Sequence, residues 1–423
     1  MKIKLVPLFA LLVLVGMLLT ACGSVVAPTA APRTTEAPAT QPLPAETEVP
    51  GEPATQVGTL RIWADDTRAP VLQDLADKVM AAYHLQLVVE LKSSLRDDFQ
   101  AAALLGDGPD IIVLPAHDQA STLVANGFLA PVHLDGKEKD FDPKALEACT
   151  FKGVLYCLPY ATENLGFFYN ADLVKAPPKT WDEVASIGEA LKEQGKVDYI
   201  MAVTGTTYDL YPLFTSFGGY IFGKDSKGNW NPQDIGLDKP GMIKGVQWLV
   251  DHVKNGDLPL NWEWADSHIL FETGKVPFIM VGPWALDRIR MSGVPYKITK
   301  FPSRGHPFAE TQGFFINAQS KNALLAQDFL NRFIANEDTM IKLSEVSERP
   351  SAYLPALAKI DDPDLKAFAE AGKNAAMIPA IPAMSSVWVS WNDAVVLARD
   401  GKQDPETALK EADTEIRTLI NKR

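Results

Sequence analysis

The fold is decided by residues 59–114, which read TLRIWADDTRAPVLQDLADKVMAAYHLQLVVELKSSLRDDFQAAALLGDGPDIIVL. Three short runs rich in β-branched or apolar residues, at 59–64, 85–91 and 110–114, alternate with helical spacing at 71–83 and 97–105. The third run is almost continuously apolar, as is typical of a strand buried on both faces of a parallel sheet. The stretch therefore predicts βαβ organisation and an α/β fold.

The same alternation continues along the chain. Further strands are predicted at 165–170, 199–203, 276–281 and 313–316, and further helices at 180–193 and 242–253. The first of these helices begins with a capping box, Thr180-Trp-Asp-Glu183, and the chain from Lys321 onward is mainly helical in pattern.

The composition indicates a large globular protein. The 423 residues are 47% hydrophobic and 22% charged, which is enough apolar material for an extensive core and for two domains. The formal net charge of -13 argues against a nucleic-acid partner, because duplex binding depends on Lys and Arg that neutralise phosphates.

The N-terminal residues predict export and a lipid anchor. Lys2 and Lys4 precede an apolar run that is too short for a comfortable membrane span, so residues 1–21 are predicted to be a signal peptide. The following Cys22 ends the sequence Leu-Thr-Ala-Cys, which resembles the bacterial lipobox, where the cysteine is diacylated. Residues 22–57 are rich in Pro, Thr and Ala and predict an extended tether. The chain is thus expected on the outer face of the cell membrane as a lipoprotein; an ordinary signal peptide with a chance cysteine is the alternative.

The other two cysteines, Cys149 and Cys157, flank a predicted hairpin that turns near Lys152 and Gly153. If the turn centres on Gly153, the cysteines face each other and form a disulfide, which an exported protein can keep. Two buried free thiols are the alternative. The spacing is a poor match to metal motifs and the six histidines are dispersed, so neither a metal nor a cofactor is predicted.

Eight local runs, taken in order, resemble one family. They are Trp63, Gly106-Asp-Gly-Pro-Asp110, Ala116-His-Asp118, Tyr169-Asn-Ala-Asp-Leu173, Pro177-Pro-Lys-Thr-Trp181, Gly218-Gly-Tyr220, Gly282-Pro-Trp284 and Ile381-Pro-Ala-Met-Ser385. From about residue 59 to the C-terminus the chain is similar to the bacterial maltose/maltodextrin-binding proteins, the extracellular receptors of ABC importers.

The resemblance implies a two-lobe periplasmic-binding-protein fold of class II, with a ligand cleft between the lobes and three hinge crossings. Lobe one would comprise residues 58–161 and 317–361, and lobe two residues 164–311 and 365–423. The implied partners are an oligosaccharide and the permease subunits of an ABC importer, and the implied state is a monomer.

The resemblance also assigns a sugar site. A sugar ring presents apolar C–H faces and a rim of hydroxyl groups, which suit flat aromatics and planar polar side chains. The stacking residues would be Trp284, Trp388 and Tyr208; the hydrogen-bonding residues would be Asp118, Glu163 and Arg68; and Asp66, Gln119 and Trp391 are possible further contacts. The alternative for each aromatic is ordinary core packing, and for each charged residue a surface ion pair or a helix cap.

Several rim positions depart from the family pattern. Gln119 stands where the family has an arginine, Thr206 and Thr207 replace an expected acid, and Arg96 replaces another. Maltose, a maltodextrin, trehalose, a cyclodextrin or another oligosaccharide therefore remain open as the ligand. A receptor of the same fold for a peptide or polyamine is one alternative. A glycoside hydrolase that uses Asp118 and Glu163 is another, but the family is not enzymatic and no enzyme is predicted.

Overall fold

The computed structural model describes residues 58–422, and its larger sheet is built on the stretch quoted above. Strands β1 (Gly58–Ala64), β2 (Leu85–Leu91) and β3 (Ile111–Leu114) lie parallel, with β1 in the middle. All four residues of β3 are buried, as their apolar run predicts. The predicted signal peptide, the tether and Cys22 lie outside the described residues.

The remaining strands follow the chain order. They are β4 (Leu129–Ala130), β5 (Thr150–Phe151), β6 (Val154–Leu155), β7 (Cys157–Asn164), β8 (Gly166–Asn170), β9 (Phe222–Lys224), β10 (Trp230–Ile235), β11 (Phe278–Val281), β12 (Tyr296–Thr299), β13 (Phe308–Asn317) and β14 (Ala376–Met377).

Helices make up much of the rest of the described chain. They are α1 (Ala69–Gln73), α2 (Ala76–Tyr83), α3 (Leu95–Leu105), α4 (Ala120–Ala125), α5 (Pro143–Ala148), α6 (Trp181–Glu193), α7 (Thr207–Ser216), α8 (Pro240–Lys254), α9 (Trp264–Glu272), α10 (Leu286–Ser292), α11 (Ala323–Phe329), α12 (Glu337–Ser347), α13 (Leu354–Leu357), α14 (Pro363–Ala371), α15 (Trp388–Arg399) and α16 (Pro405–Asn421). Within residues 58–422 none of them combines the length and the apolar character that crossing a bilayer requires.

The long strand β13 organises the larger sheet. It pairs antiparallel with β3, where Gly313 opposes Leu114, and antiparallel with β7, where Glu310 opposes Glu163. The strand predicted at 313–316 is therefore real but extends further toward the N-terminus. Because β13 runs against β1, β2 and β3, the sheet is mixed rather than parallel.

A second sheet has three antiparallel strands in the order β11, β8, β12. The prediction of a strand at 199–203 is wrong, because only Ala202 forms a bridge, to Ile279. The backbone N–H of Ile200 bonds instead to the carbonyl of Asp257. Helix α6 also packs closely on this segment, since a Cβ on Gly188 would lie 2.6 Å from the Ile200 Cα.

Apolar side chains collect in separate clusters around the two sheets. Leu60, Ile62 and Phe314 belong to a cluster on the larger sheet, and Phe167 and Phe278 belong to one on the second sheet. Burial of such side chains is the main source of folding free energy. The two sheets therefore have largely separate cores.

The hairpin that carries the cysteines turns through Lys152 and Gly153, which both have positive φ (49° and 80°). Such two-residue turns match the twist of the flanking strands. The expectation that the turn centres on Gly153 is wrong, because its centre lies between Lys152 and Gly153. As a result the carbonyl of Cys149 accepts a hydrogen bond from Tyr156 rather than from Cys157. Even so, the two sulfurs are joined as a disulfide, with the Cα atoms 5.2 Å apart.

The disulfide gives a simple chemical prediction. A chain lacking residues 1–22 has no other cysteine, so a denatured, non-reduced sample should contain no free thiol. Because the loop is short, reduction should lower the free energy of unfolding by only about 2 kcal/mol. Thiol labelling with mass detection measures the first quantity and chemical denaturation the second. Two labelled thiols per chain before reduction would contradict the pairing.

Candidate functional site

Four aromatic rings lie together near the junction of the two sheets. The ring centroid of Tyr208 lies 6.1 Å from that of Trp284, 5.9 Å from that of Phe308 and 6.5 Å from that of Trp388. We call Tyr208, Trp284, Phe308 and Trp388 the aromatic wall. Such spacing is ordinary for interacting aromatic pairs. The three predicted stacking residues are thus brought together, and Phe308 joins them.

Local structure places each ring of the aromatic wall. Tyr208 lies in the first turn of α7, which begins at a capping Thr206 whose hydroxyl accepts a hydrogen bond from the Asp209 N–H (3.2 Å). Trp284 lies in a 3₁₀ turn directly after β11, and its ring folds back over Gly282, where a Cβ would collide with it. Trp388 is the first residue of α15 and is partly exposed.

Trp391, a possible contact residue, is fully buried. Its ring stacks on Trp388 with centroids 6.1 Å apart and packs against Tyr211 and Phe214. In this arrangement Trp391 packs against Trp388 on the core side, and it has no exposed surface that a ligand could contact.

A cleft of about 520 Å³ opens beside Trp388. Its lining residues are Asp65, Ser93, Ser94, Leu95, Arg96, Asp97, Pro115, Asp118, Gln119 and Trp388. Trp388 packs against the core of the second sheet, whereas the other lining residues belong to the chain segments that build the larger sheet. The cleft is therefore lined both by predicted polar residues, Asp118 and Gln119, and by one predicted aromatic residue, Trp388.

Asp118 and Gln119 reach the cleft through a 3₁₀ turn, His117–Gln119, that follows β3. His117 is fully buried, and burial lowers the pKa of its ring, which favours the neutral form. Its Nδ1 accepts from the Thr311 N–H (3.3 Å), so its Nε2–H donates to the Ile378 carbonyl (3.0 Å). His117 thereby fixes the turn that presents Asp118.

The side chain of Asp118 is half-buried in the lining of the cleft. Burial raises its pKa, and the hydrogen bonds of nearby backbone N–H groups oppose that effect. No basic side chain within residues 58–422 forms an ion pair with it. A carboxylate in this position is open to hydrogen bonds from a ligand.

Glu163 lies near the end of β7, where the chain leaves the larger sheet. Its Oε2 accepts from the Arg349 Nε and from the Gln312 side-chain amide (3.1 Å). The side chains of Glu163 and Arg349 are only 7% and 14% exposed, so this is a buried ion pair.

Arg68 is buried, and all three nitrogens of its guanidinium donate to protein groups. It donates hydrogen bonds to the Tyr160 hydroxyl, to Asp65 and to the Gln312 side chain. It therefore holds Asp65, a cleft residue, and the strand β13 in place. Asp66 is exposed to solvent next to Asp65 and does not line the cleft.

Sequence reasoning missed four residues that the structure brings to this region: Phe308, Glu310, Gln312 and Arg349. The first three alternate on β13, and alternate residues of a strand share one face. A Glu and a Gln two residues apart in a strand with several large apolar residues are the signal that could have revealed them.

A group of potential metal ligands, Glu189, His252 and Asp257, lies elsewhere among residues 58–422. The Lys192 ammonium lies 3.3 Å from the Asp257 carboxylate, and His252 Nδ1 lies 3.1 Å from it. Asp257 already has a cation as its partner.

Comparison with known proteins agrees with a binding function. The profile of a family described as bacterial extracellular solute-binding protein matches residues 74–377. The chain is 28% identical to a galactooligosaccharide-binding protein of Bacillus subtilis (strain 168), over 84% of this chain and 87% of that protein. It is 27% identical to a maltotriose-binding protein of Pyrococcus abyssi (strain GE5 / Orsay), over 85% of this chain and 82% of that protein.

A third relative covers almost the whole chain. It is a maltooligosaccharide ABC transporter solute-binding lipoprotein of Streptococcus pneumoniae (strain ATCC BAA-255 / R6), 25% identical over 97% of this chain and 96% of that protein. The chain belongs to the bacterial extracellular solute-binding protein family. The family and these relatives are binding proteins rather than enzymes.

Proposed function

We propose that this protein captures an oligosaccharide of the maltose or maltodextrin type and delivers it to the permease of an ABC importer. The observation that carries the proposal is the cleft of about 520 Å³, whose lining includes Asp118, Gln119 and Trp388 of the aromatic wall. Flat rings suit the apolar faces of sugar rings, and carboxylate and amide groups suit their hydroxyls. The names of the relatives, which include maltotriose and maltooligosaccharide binding, support this ligand class.

The proposed architecture has two lobes, with residues 58–161 and 317–361 in lobe one and residues 164–311 and 365–423 in lobe two. Support comes from the separate cores of the two sheets and from Leu165, which alone separates β7 of the larger sheet from β8 of the second. In this proposal the chain crosses between the lobes three times, within residues 162–163, 312–316 and 362–364.

The proposed mechanism is closure around the sugar. Asp118 and Gln119 would bind the ligand from lobe one, while Trp284, Trp388 and Tyr208 bind it from lobe two. A ligand that contacts both lobes has a higher affinity for the closed arrangement, and that difference shifts the hinge equilibrium toward closure. The closed surface would then be the form that the permease recognises.

A second candidate ligand is an amine such as a polyamine. Asp118 and Glu310 lie near the aromatic wall and form no ion pair with a basic side chain of residues 58–422. Carboxylates beside aromatic rings are suited to a cationic group.

A binding panel separates these candidates. Calorimetry would use maltotriose, maltohexaose, trehalose, β-cyclodextrin, a galactooligosaccharide and spermidine, and small-angle scattering would be recorded with and without the tightest binder. Binding of a neutral oligosaccharide with a decrease in radius of gyration is expected. Failure of all five neutral sugars would reject the proposal, and binding of spermidine alone would favour the amine receptor.

The proposed location is the outer face of the cell membrane, through a lipid on Cys22. Replacing Cys22 by alanine should therefore release the protein from the membrane fraction of a bacterial host that processes lipoproteins, since the lipid on this residue is the proposed attachment to the bilayer. Immunoblots of membrane and soluble fractions measure this, with Cys149→Ala as a matched cysteine control that stays in the membrane fraction. Equal membrane retention of the Cys22→Ala variant and wild type would contradict the anchor.

A further inference from the structure

Glu310 lies on β13 between two residues whose roles are clear. Phe308 contributes a ring to the aromatic wall, and the amide of Gln312 donates to Glu163. Because alternate residues of a strand point to the same face, the Glu310 side chain lies between the aromatic wall and the Glu163–Arg349 pair. Its side chain is half-buried beside Tyr208 of the aromatic wall, and it is not among the residues that line the cleft.

Glu310 and Glu163 are directly opposed in the antiparallel pair of β13 and β7. Opposed side chains have Cβ atoms about 5 Å apart, and like charges at that separation destabilise the pair. Arg349 and Gln312 both donate to Glu163, whereas Glu310 forms no ion pair with any basic residue of the described chain. Of the two carboxyl groups, Glu310 is the one that lacks a cation.

The charges around Glu310 favour its protonated form. Burial raises its pKa well above the ordinary value, the negative charges of Glu163 and Asp118 raise it further, and Tyr208 and Arg349 oppose these effects. A protonated carboxyl group carries one O–H donor and keeps an acceptor oxygen.

The hydroxyl of Tyr208 lies beside the Glu310 carboxyl. It is buried and forms no hydrogen bond of ordinary geometry with the described residues. Burial and the nearby Glu310 raise its pKa well above the usual value, so the phenol stays neutral. The two groups thus form a neutral polar pair next to the rings of the aromatic wall.

We propose that Glu310 contacts the bound sugar as a protonated carboxyl group and donates its O–H to an oxygen of the sugar unit that stacks on the aromatic wall. The proposal rests on the proposed function and adds a specificity residue to it. The side chains of Arg68 and Arg349 are engaged by protein groups, so the donors assigned to that region are the Tyr208 hydroxyl and the protonated Glu310. A sugar hydroxyl both donates and accepts hydrogen bonds, and in this proposal its oxygen accepts one from Glu310.

The proposal sets the direction of a pH effect. Binding requires the proton, so affinity is full below the pKa of Glu310 in the cleft and falls as pH rises through it. The other groups that face this position are Glu163 and Arg349, Asp118 and His117, and Tyr208 and Asp209. Burial raises the pKa of Asp209 to about 6, and its hydrogen bonds with Thr204 and Thr206 oppose that rise.

Two substitutions at Glu310 distinguish its effect on binding from the effects of these neighbouring groups. Glu310→Gln keeps the shape and supplies an amide donor that does not titrate, whereas Glu310→Ala removes the donor. Calorimetry with the tightest neutral oligosaccharide of the panel would be run between about pH 5.5 and about pH 9, a range that spans a strongly raised carboxyl pKa. Glu193→Gln, at an exposed position at the end of α6, is the matched control.

The affinities of wild type and Glu193→Gln should both fall about tenfold toward high pH, because one hydrogen bond to a neutral group contributes about that factor. Glu310→Gln should bind equally well across the range, and Glu310→Ala should bind weakly throughout.

Full-strength binding by Glu310→Ala, or the same pH profile for Glu310→Gln and wild type, would overturn the proposal. The proposal would also be overturned if the affinity of the wild type did not change with pH and Glu310→Gln lowered it. Glu310 would then act as an ionised acceptor. Those outcomes leave sugar capture intact, whereas loss of all sugar binding by wild type rejects the proposed function itself.

Discussion

Replacing Arg349 by alanine is expected to lower the free energy of unfolding by about 3 kcal/mol or more. The guanidinium is the only cation paired with Glu163 among the described residues, and both side chains are almost inaccessible to water. Removing one partner of a buried ion pair leaves an uncompensated charge, and here Glu310 lies directly opposite. Urea denaturation monitored by tryptophan fluorescence measures the change.

The control for this prediction is another arginine paired with a carboxylate. Arg332 pairs with Asp328 at 2.7 Å, but its side chain is 64% exposed. Exposed pairs contribute little, so Arg332→Ala should cost about 0.5 kcal/mol or less. Replacing Glu163 and Arg349 together, by Gln and Met, should cost less than Arg349→Ala alone, because no charge is left unpaired. Equal effects of Arg349→Ala and Arg332→Ala would show that the ion pair is unimportant for stability.

Replacing Trp284 by alanine is expected to weaken sugar binding by about 2 kcal/mol, or roughly thirtyfold, with the fold retained. The indole is half-buried in the aromatic wall, and its loss removes a flat surface on which a sugar ring can stack. The substitution also leaves Tyr208 with one fewer neighbour. Calorimetry with the tightest oligosaccharide of the panel gives the affinity, and circular dichroism checks the fold.

A matched control separates stacking from a general loss of aromatic area. Trp264 is also partly exposed, but it packs on His268 and Arg288 outside the aromatic wall. Trp264→Ala should bind the sugar like wild type. The affinity of Asp118→Asn should lie between those of Trp284→Ala and Trp264→Ala, because the substitution preserves the shape and weakens one charge-assisted hydrogen bond. Wild-type affinity in Trp284→Ala would exclude this tryptophan as a stacking residue.

The elements with strong local patterns could be predicted from sequence. Strand β2 has the predicted bounds, and α6 begins at its capping Thr180 because the capping box satisfies backbone groups locally. The segment 199–203 shows the limit of such reasoning. Its residues have strand propensity, but their backbone partners lie in distant segments, and propensity carries no information on those.

The site shows the same division. Trp284 and Trp388 follow recognisable sequence runs, so they could be proposed before any coordinates, and the structure brings them together with Tyr208. Glu310 could not be assigned, because its environment depends on which residue opposes it across two strands that are far apart in sequence. The burial of Trp391 could not be predicted from sequence either, because the spacing of residues along a helix does not reveal which other element covers them.

The position of β13 in the larger sheet has a consequence for how the chain folds. Gly313 pairs with Leu114 and Phe315 with Cys157, so the sheet cannot be completed until residues far along the chain are available. Pairings of such large sequence separation slow folding, because the entropy of closing long loops opposes them. A chain emerging from the ribosome would therefore remain incompletely folded until β13 has been synthesised. For a protein that we propose to be exported, this delay favours passage across the membrane as an extended polypeptide.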